Sequence, residues 1–207
     1  DAKDPLDVCT RDKCTNRQCA FQRVYTPGAS CCYPVDTTTF GFEGGQAGAF
    51  FLTGGTETVR WAPLSTALGG KAHGGQWSLY LGDPATHTYQ DPGGLAVDAT
   101  ATWTIEVPDA AGYLLEWWQW VDVETDPTRD PFTVSIVPVE PVEAAVEVFS
   151  NKPFYGYPGT WRHVLVPLDE FAGRVVQVDF RLATGDGILN DGEGIYIDDL
   201  ATFKGCD

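Results

Sequence analysis

From Val97 to Val107 the chain alternates without a break. Val97, Ala99, Ala101, Trp103, Ile105 and Val107 fall on one side, and Asp98, Thr100, Thr102, Thr104 and Glu106 on the other. A period of two is that of a β-strand, and a strand with one apolar and one polar face belongs to an antiparallel sheet wetted on one side. The theme returns in Val176, Val178, Phe180 and Leu182 against Gln177, Asp179 and Arg181, and in Phe132, Val134 and Ile136 against Thr133 and Ser135. Further strands are expected over 49–52, 58–61, 77–81, 113–123, 145–149, 161–166 and 194–203. They are separated by turn signals such as Gly54-Gly55, Gly69-Gly70, 91–94 and 109–112. No segment sustains a helical period. Roughly ten short strands at regular spacing predict an all-β fold, a two-sheet antiparallel β-sandwich of the jelly-roll kind.

The segment 113–123 breaks the alternation, because Leu114, Leu115, Trp117, Trp118 and Trp120 make it apolar on both faces. Such a strand is expected at the centre of its sheet, with its second face covered by a loop or by another molecule.

Composition narrows the partners. The 29 acidic residues against 13 basic ones give a net charge of −16, which excludes nucleic acid and anionic membrane surfaces, since both need clustered Lys and Arg. No apolar run is long enough for a transmembrane helix, so membrane insertion is not expected. Asn16, Asn151 and Asn190 all lack the glycosylation sequon, and Met is absent. The chain reads as a processed or excised piece of a bacterial protein.

Five of the six cysteines, Cys9, Cys14, Cys19, Cys31 and Cys32, lie in the first 32 residues, and the sixth is Cys206. Residues 1–35 are too poor in aliphatic side chains to fold unaided, so they read as a disulfide-stapled leader ahead of a sandwich domain over 36–207. Zinc is the competing reading, but no Cys-x-x-Cys pair and no nearby His supports it. Five leader cysteines leave at least one to pair outside, and Cys206 is the one available. Disulfides of this kind place the chain in an oxidising compartment, secreted or on a cell surface.

The stretch from Thr184 to Leu200 joins an acidic glycine-rich loop to a strand with two carboxylates in its middle. Asp186, Asn190, Asp191 and Glu193 are hard oxygen donors of the type calcium prefers. The loop departs from the EF-hand pattern, with Ile188 where a third ligand is needed. In the strand, Ile195, Ile197, Asp199, Ala201 and Phe203 alternate, which predicts Asp199 at a core position. A buried carboxylate there requires a cation or several donors.

Several of these segments together resemble a known family. They are Phe40-Gly-Phe-Glu43, Trp61, Gly75-Gln-Trp-Ser-Leu-Tyr-Leu-Gly-Asp-Pro84, Leu115-Glu-Trp-Trp118, Val166-Pro-Leu-Asp-Glu-Phe-Ala-Gly173 and the closing Gly194-Ile-Tyr-Ile-Asp-Asp-Leu200. Over about 36–204 the chain resembles the MAM-like jelly-roll modules of secreted bacterial proteins. The leader resembles a short cysteine-rich repeat typical of myxobacterial surface proteins. The resemblance implies a binding or adhesion module with a structural calcium ion, held by Glu43, Asp198 and Asp199 with Asp83 as a further acidic position. A calcium site at the sheet end from Glu43, Asp83 and Asp198 or Asp199 is therefore one expectation, and the loop Asp186, Asn190, Asp191, Glu193 is the secondary one.

For ligand contact the sequence offers Phe154, Tyr155 and Tyr157, aromatic residues in a Gly/Pro-containing loop where burial of all is difficult. The tryptophans Trp117, Trp118, Trp120 and Trp161 read as core. Catalysis finds no support: His73, His87 and His163 are scattered, and no zinc-protease helix, nucleophile elbow or phosphate loop is present. The expected function is non-catalytic binding, adhesion or assembly outside the cell with a protein partner or through self-association. The alternative is a carbohydrate-binding module using loop aromatics to hold a glycan, and a hydrolase with an unrecognised carboxylate pair is the third reading.

Overall fold

The structure, a computed structural model, describes residues 10–15, 18–23, 35–124, 129–151 and 159–204, with side chains described from Thr39 onward. Thirteen strands occur among the described residues. A hairpin, β1 (Thr10–Thr15) and β2 (Gln18–Arg23), places Cys14 opposite Cys19 in its register. Cys9, Cys31, Cys32 and Cys206 lie outside the described residues.

The remaining strands are β3 (Val35–Phe40), β4 (Phe50–Gly54), β5 (Arg60–Ser65), β6 (Trp77–Gly82), β7 (Asp98–Glu106), β8 (Tyr113–Asp122), β9 (Phe132–Pro138), β10 (Val146–Ser150), β11 (Trp161–Pro167), β12 (Val175–Ala183) and β13 (Gly194–Lys204). They form an antiparallel β-sandwich. One sheet has the order β10-β9-β12-β7-β4 and the other β11-β8-β13-β6-β5, with β3 also paired to β13. Each of the ten strands expected from alternation is present within a few residues. β3 was not expected, because Val35–Phe40 carries a run of three threonines and little apolar periodicity.

Alternation decides what each sheet buries. The inner face of β7 supplies Ala99, Ala101, Trp103 and Ile105; that of β12 supplies Val176, Val178, Phe180 and Leu182; that of β8 supplies Tyr113, Leu115 and Trp117. Aromatic rings interlock at the centre, with Trp117 edge-on to Phe180 at 5.5 Å. Each large side chain removed from water here contributes about 2–3 kcal/mol. The Trp61 indole N–H reaches across to Ala99 O at 3.3 Å, so one of the inter-sheet contacts is polar.

Two features of the second sheet position the site. β8 is an interior strand, though next to the edge strand β11 rather than at the centre of its sheet. On its outer face Lys71 and His73 of the β5–β6 connection (66–76) lie over Trp120 and Trp118. The second feature is a bulge in β13. Its first half pairs with β6 through Ile197, whereas from Leu200 onward it pairs with β3. Between these halves the register against β8 shifts at Asp198–Asp199, and Asp199 has φ +46°. An extra residue at a bulge flips every later side chain to the other face. The core position therefore belongs to Leu200 rather than to Asp199. Asp198 is the fully buried carboxylate, while Asp199 is half-buried. The expectation for Asp199 failed because strict alternation cannot anticipate a bulge.

Candidate functional site

The outer face of the second sheet carries two cross-strand rows. The strand registers align Tyr80, Tyr196, Trp120 and Trp161 on β6, β13, β8 and β11, and beside them Asp198, Trp118 and His163 on β13, β8 and β11. Tyr80 stacks on Tyr196 at 4.4 Å, and Trp120 meets Tyr196 edge-on at 5.5 Å. Lys71 lies over both Trp120 and Tyr196, 4.6 and 5.6 Å from their centroids, and is ion-paired with Glu193. Burial pushes the Tyr80 and Tyr196 hydroxyls well above the ordinary phenol range, so both remain donors: Tyr80 to Glu193 O and Tyr196 to the Glu193 carboxylate. This half of the face is closed.

The other half is more open. The His73 ring stacks on Trp118 at 3.7 Å with an interplanar angle of 11°, and His163 stacks on Trp118 at 4.8 Å and 12°. The indole is sandwiched between two imidazoles. Each imidazole is held by a carboxylate, His73 Nδ1 by Asp199 Oδ2 at 2.7 Å and His163 Nε2 by Glu116 Oε2 at 2.9 Å. Trp161 lies edge-on to His73 at 5.7 Å and is half-exposed on the edge strand β11. The group thus combines an accessible indole, two imidazoles and two carboxylates at the sheet edge. The arrangement sets aromatic faces beside hydrogen-bonding groups, which is chemistry suited to recognition.

The acidic residues meet where β13 changes partners. Asp198 Oδ2 accepts the amides of His73 and Gly74 at 2.8 and 3.1 Å, and its Oδ1 accepts that of Asp199 at 2.8 Å. Glu43 Oε1 accepts the amides of Gln76 and Trp77 at 2.9 and 3.1 Å. Both carboxylates therefore grip one loop, and that loop needs glycine. A Cβ on Gly75 would come within 2.1 Å of Glu43 Oε1, and one on Gly74 within 2.6 Å of Asp199 Oδ2. Burial is the main cause that raises the Asp198 pKa to about 7, and the neighbouring Asp199 charge adds to it.

Of the expected sheet-end ligands, Glu43, Asp198 and Asp199 share this loop, but Asp83 does not. Asp83 follows the far end of β6, about 16 Å along the strand from the position opposite Asp198. There its carboxylate caps the Ala85 amide at 2.8 Å. Within the secondary loop, Asp186 Oδ1 caps Ile188 N at 2.9 Å, Asp191 is exposed, and Glu193 is held by Lys71 and Tyr196. Asn190 is buried, its Nδ2 donating to Asp186 O at 3.2 Å. Among the described residues, no three His, Cys, Asp or Glu side chains gather at coordinating distances. Phe154, Tyr155 and Tyr157 lie outside the described residues.

The imidazole–indole stack was not expected from the sequence. One signal for it existed: Trp161 and His163, like Trp118 and Trp120, alternate onto one face. The contribution of His73 has no local signal, because it depends on how the 66–76 loop crosses the sheet.

No family model matches the chain, and no curated protein matches it. Solved structures do share its fold. TmCBM61, solved in complex with β-1,4-galactotriose, aligns with a TM-score of 0.52 at 15% identity, covering 79% of this chain and 94% of its own. The K2 cleaved adhesin domain of Lys-gingipain aligns at 0.51 and 19% identity, covering 81% and 97%. The C-terminal family 22 carbohydrate-binding module of Clostridium thermocellum Xyn10B aligns at 0.50 and 14%, covering 81% and 93%. At these identities the likeness establishes the sandwich fold.

Proposed function

We propose that this chain is a secreted or cell-surface, non-catalytic binding module that holds a glycan at the open edge of its aromatic face. The observation that carries this reading is the half-exposed Trp161, set beside His73 and the carboxylate-anchored stack on Trp118. An indole at a sheet edge offers a flat apolar surface to a sugar ring, and the flanking carboxylates and imidazoles supply partners for its hydroxyls. Trp118 has both of its faces occupied, which leaves Trp161 as the stacking residue. The fold is one on which galactotriose-bound TmCBM61 and the C-terminal family 22 carbohydrate-binding module of Xyn10B are also built, which supports the reading by analogy.

Glycan-array screening followed by titration of indole fluorescence tests it. Trp161→Ala is expected to lower affinity at least tenfold, about 1.4 kcal/mol or more, while leaving the fold intact. Binding unaffected by this change would remove the platform from the function. A second reading, adhesion to a protein partner, is favoured by the edge strand β10 and the segment before it, where Val142 and Val146 are 83% and 40% exposed. The K2 adhesin domain is built on the same fold.

A structural calcium ion belongs to the same proposal. Glu43, Asp198 and Asp199 bring three carboxylates to one glycine-bearing loop, and an ion bound there would tie the end of β3 to the bulge of β13. Chelation is then expected to lower Tm by several degrees, with recovery on adding calcium. An unchanged melt, with no metal in elemental analysis of the purified protein, would eliminate the ion.

A further inference from the structure

A second group of buried oxygens lies away from the 66–76 loop, around Tyr89. The Tyr89 amide donates to Gly192 O at 3.1 Å, and its hydroxyl donates to Asp130 Oδ2 and accepts the Glu124 amide, both at 2.7 Å. Tyr89 thereby joins the turn that precedes β13 to the turn that precedes β9. The same two turns meet directly, since the Gly185 amide donates to Arg129 O and Asp186 acts electrostatically on Asp130. Asn190 is fixed from its nitrogen end, because Nδ2 donates to Asp186 O.

When these bonds are assigned, two oxygens are left over. Among the described residues Asp130 Oδ1 and Asn190 Oδ1 have no hydrogen-bond partner, and both residues are 0% exposed. Neither side chain is free to turn away, as Asp130 is pinned by Tyr89 and Asn190 by Asp186. A buried acceptor without a donor costs about 1–3 kcal/mol, and more when it carries charge. Asp186 and Glu124 add negative charge close by, whereas Arg129, which faces the Asp186 carboxylate at 3.7 Å, and the Gly185 amide favour the Asp130 carboxylate. Two pinned, hard oxygen donors in an acidic setting call for a compact positive partner.

We propose that Asp130 Oδ1 and Asn190 Oδ1 are ligands of a calcium ion seated between the 184–192 turn and the 129–131 turn, separate from the Glu43–Asp198 loop. Because β9 and β13 belong to different sheets, the ion clamps the two layers of the sandwich at this end.

Calorimetric titration of the chelator-stripped full chain with calcium chloride, paired with thermal melts, tests this. In an Asp198→Asn background, which removes the other candidate site, one calcium ion is still expected to bind and to raise Tm. Asp130→Asn should abolish that binding. Asn190→Asp adds a carboxylate ligand but removes the Nδ2 bond to Asp186 O, so it should lower the calcium-free Tm, tighten calcium binding about tenfold and enlarge the rise in Tm that calcium produces. If the two oxygens hold only buried water, Asn190→Asp gives a less stable protein with no response to calcium. No calcium heat in the Asp198→Asn background, or calcium binding unaltered by Asn190→Asp, overturns the site. Equal affinity for magnesium overturns its assignment to calcium. The Asn190→Asp arm keeps the test decisive if Asp130→Asn does not fold.

Discussion

Replacing Asp198 by Asn is expected to abolish a fall in stability of about 2 kcal/mol that the unmodified protein shows between pH 4 and pH 8 in chelator. The carboxyl is fully buried beside Asp199, and its proton affinity is raised from the ordinary value of 3.8 to about 7. Between those values the folded chain holds a proton that the unfolded chain has released, so stability declines as pH rises and levels off above about 8. The amides of His73, Gly74 and Asp199 offset part of this cost, because they favour the charged form. Asn cannot ionise. It also loses one of the three amide contacts, where its NH2 group meets a backbone N–H, so the informative quantity is the difference between the two pH profiles rather than either stability alone. Parallel profiles from chemical denaturation would show that Asp198 does not titrate in this range. Added calcium should restore stability to the parent above pH 7 and leave the variant unchanged if the Glu43–Asp198 loop holds an ion.

Trp117→Ala should be the most damaging single change in the core, costing about 3–5 kcal/mol. The side chain is completely buried against Phe180 and Phe149, and its N–H donates to Gln119 Oε1 at 2.8 Å. Truncation opens a cavity and also strands a buried amide oxygen, since Gln119 is 1% exposed. Against a typical domain stability of about 5–15 kcal/mol, that is a large fraction. Trp117→Phe separates the two effects: it retains most of the packing but not the hydrogen bond, and about 1–3 kcal/mol of loss is expected from the stranded acceptor. Urea unfolding of the three proteins measures both. A loss below about 1 kcal/mol in Trp117→Ala would mean that the core closes over the missing ring.

How far the fold could be read in advance depends on how local its causes are. Alternation in β7, β9 and β12 results from one wet and one dry face, so each strand declares itself. The doubly apolar β8 declares its need for a cover, and the 66–76 loop supplies it through Lys71 and His73. The closing acidic pair and Glu43 were legible as a group, and the structure brings them to one loop. Asp83 joins them only as a further acidic position implied by the family resemblance. An antiparallel register places it at the far end of β6, and a register is not written in any single segment. The bulge at Asp198–Asp199 is a further non-local feature, since β13 must release β6 before it can pair with β3.

The amino-acid sequence by itself determined the class of fold, ten of its strands, most of the core and the acidic character of the closing turn, because each follows from a side chain's affinity for water within a few residues of its neighbours. Trp118 and Trp161 read as core from the sequence, but the structure sets both half-buried on the outer face. Tertiary structure alone decided that Asp198 rather than Asp199 is buried and that two histidines far apart in sequence clasp one tryptophan. It also decided that the turn before β9 and the turn before β13 meet beside Tyr89. Those outcomes depend on strand register and on loop crossings, where the energy lies in contacts between distant segments.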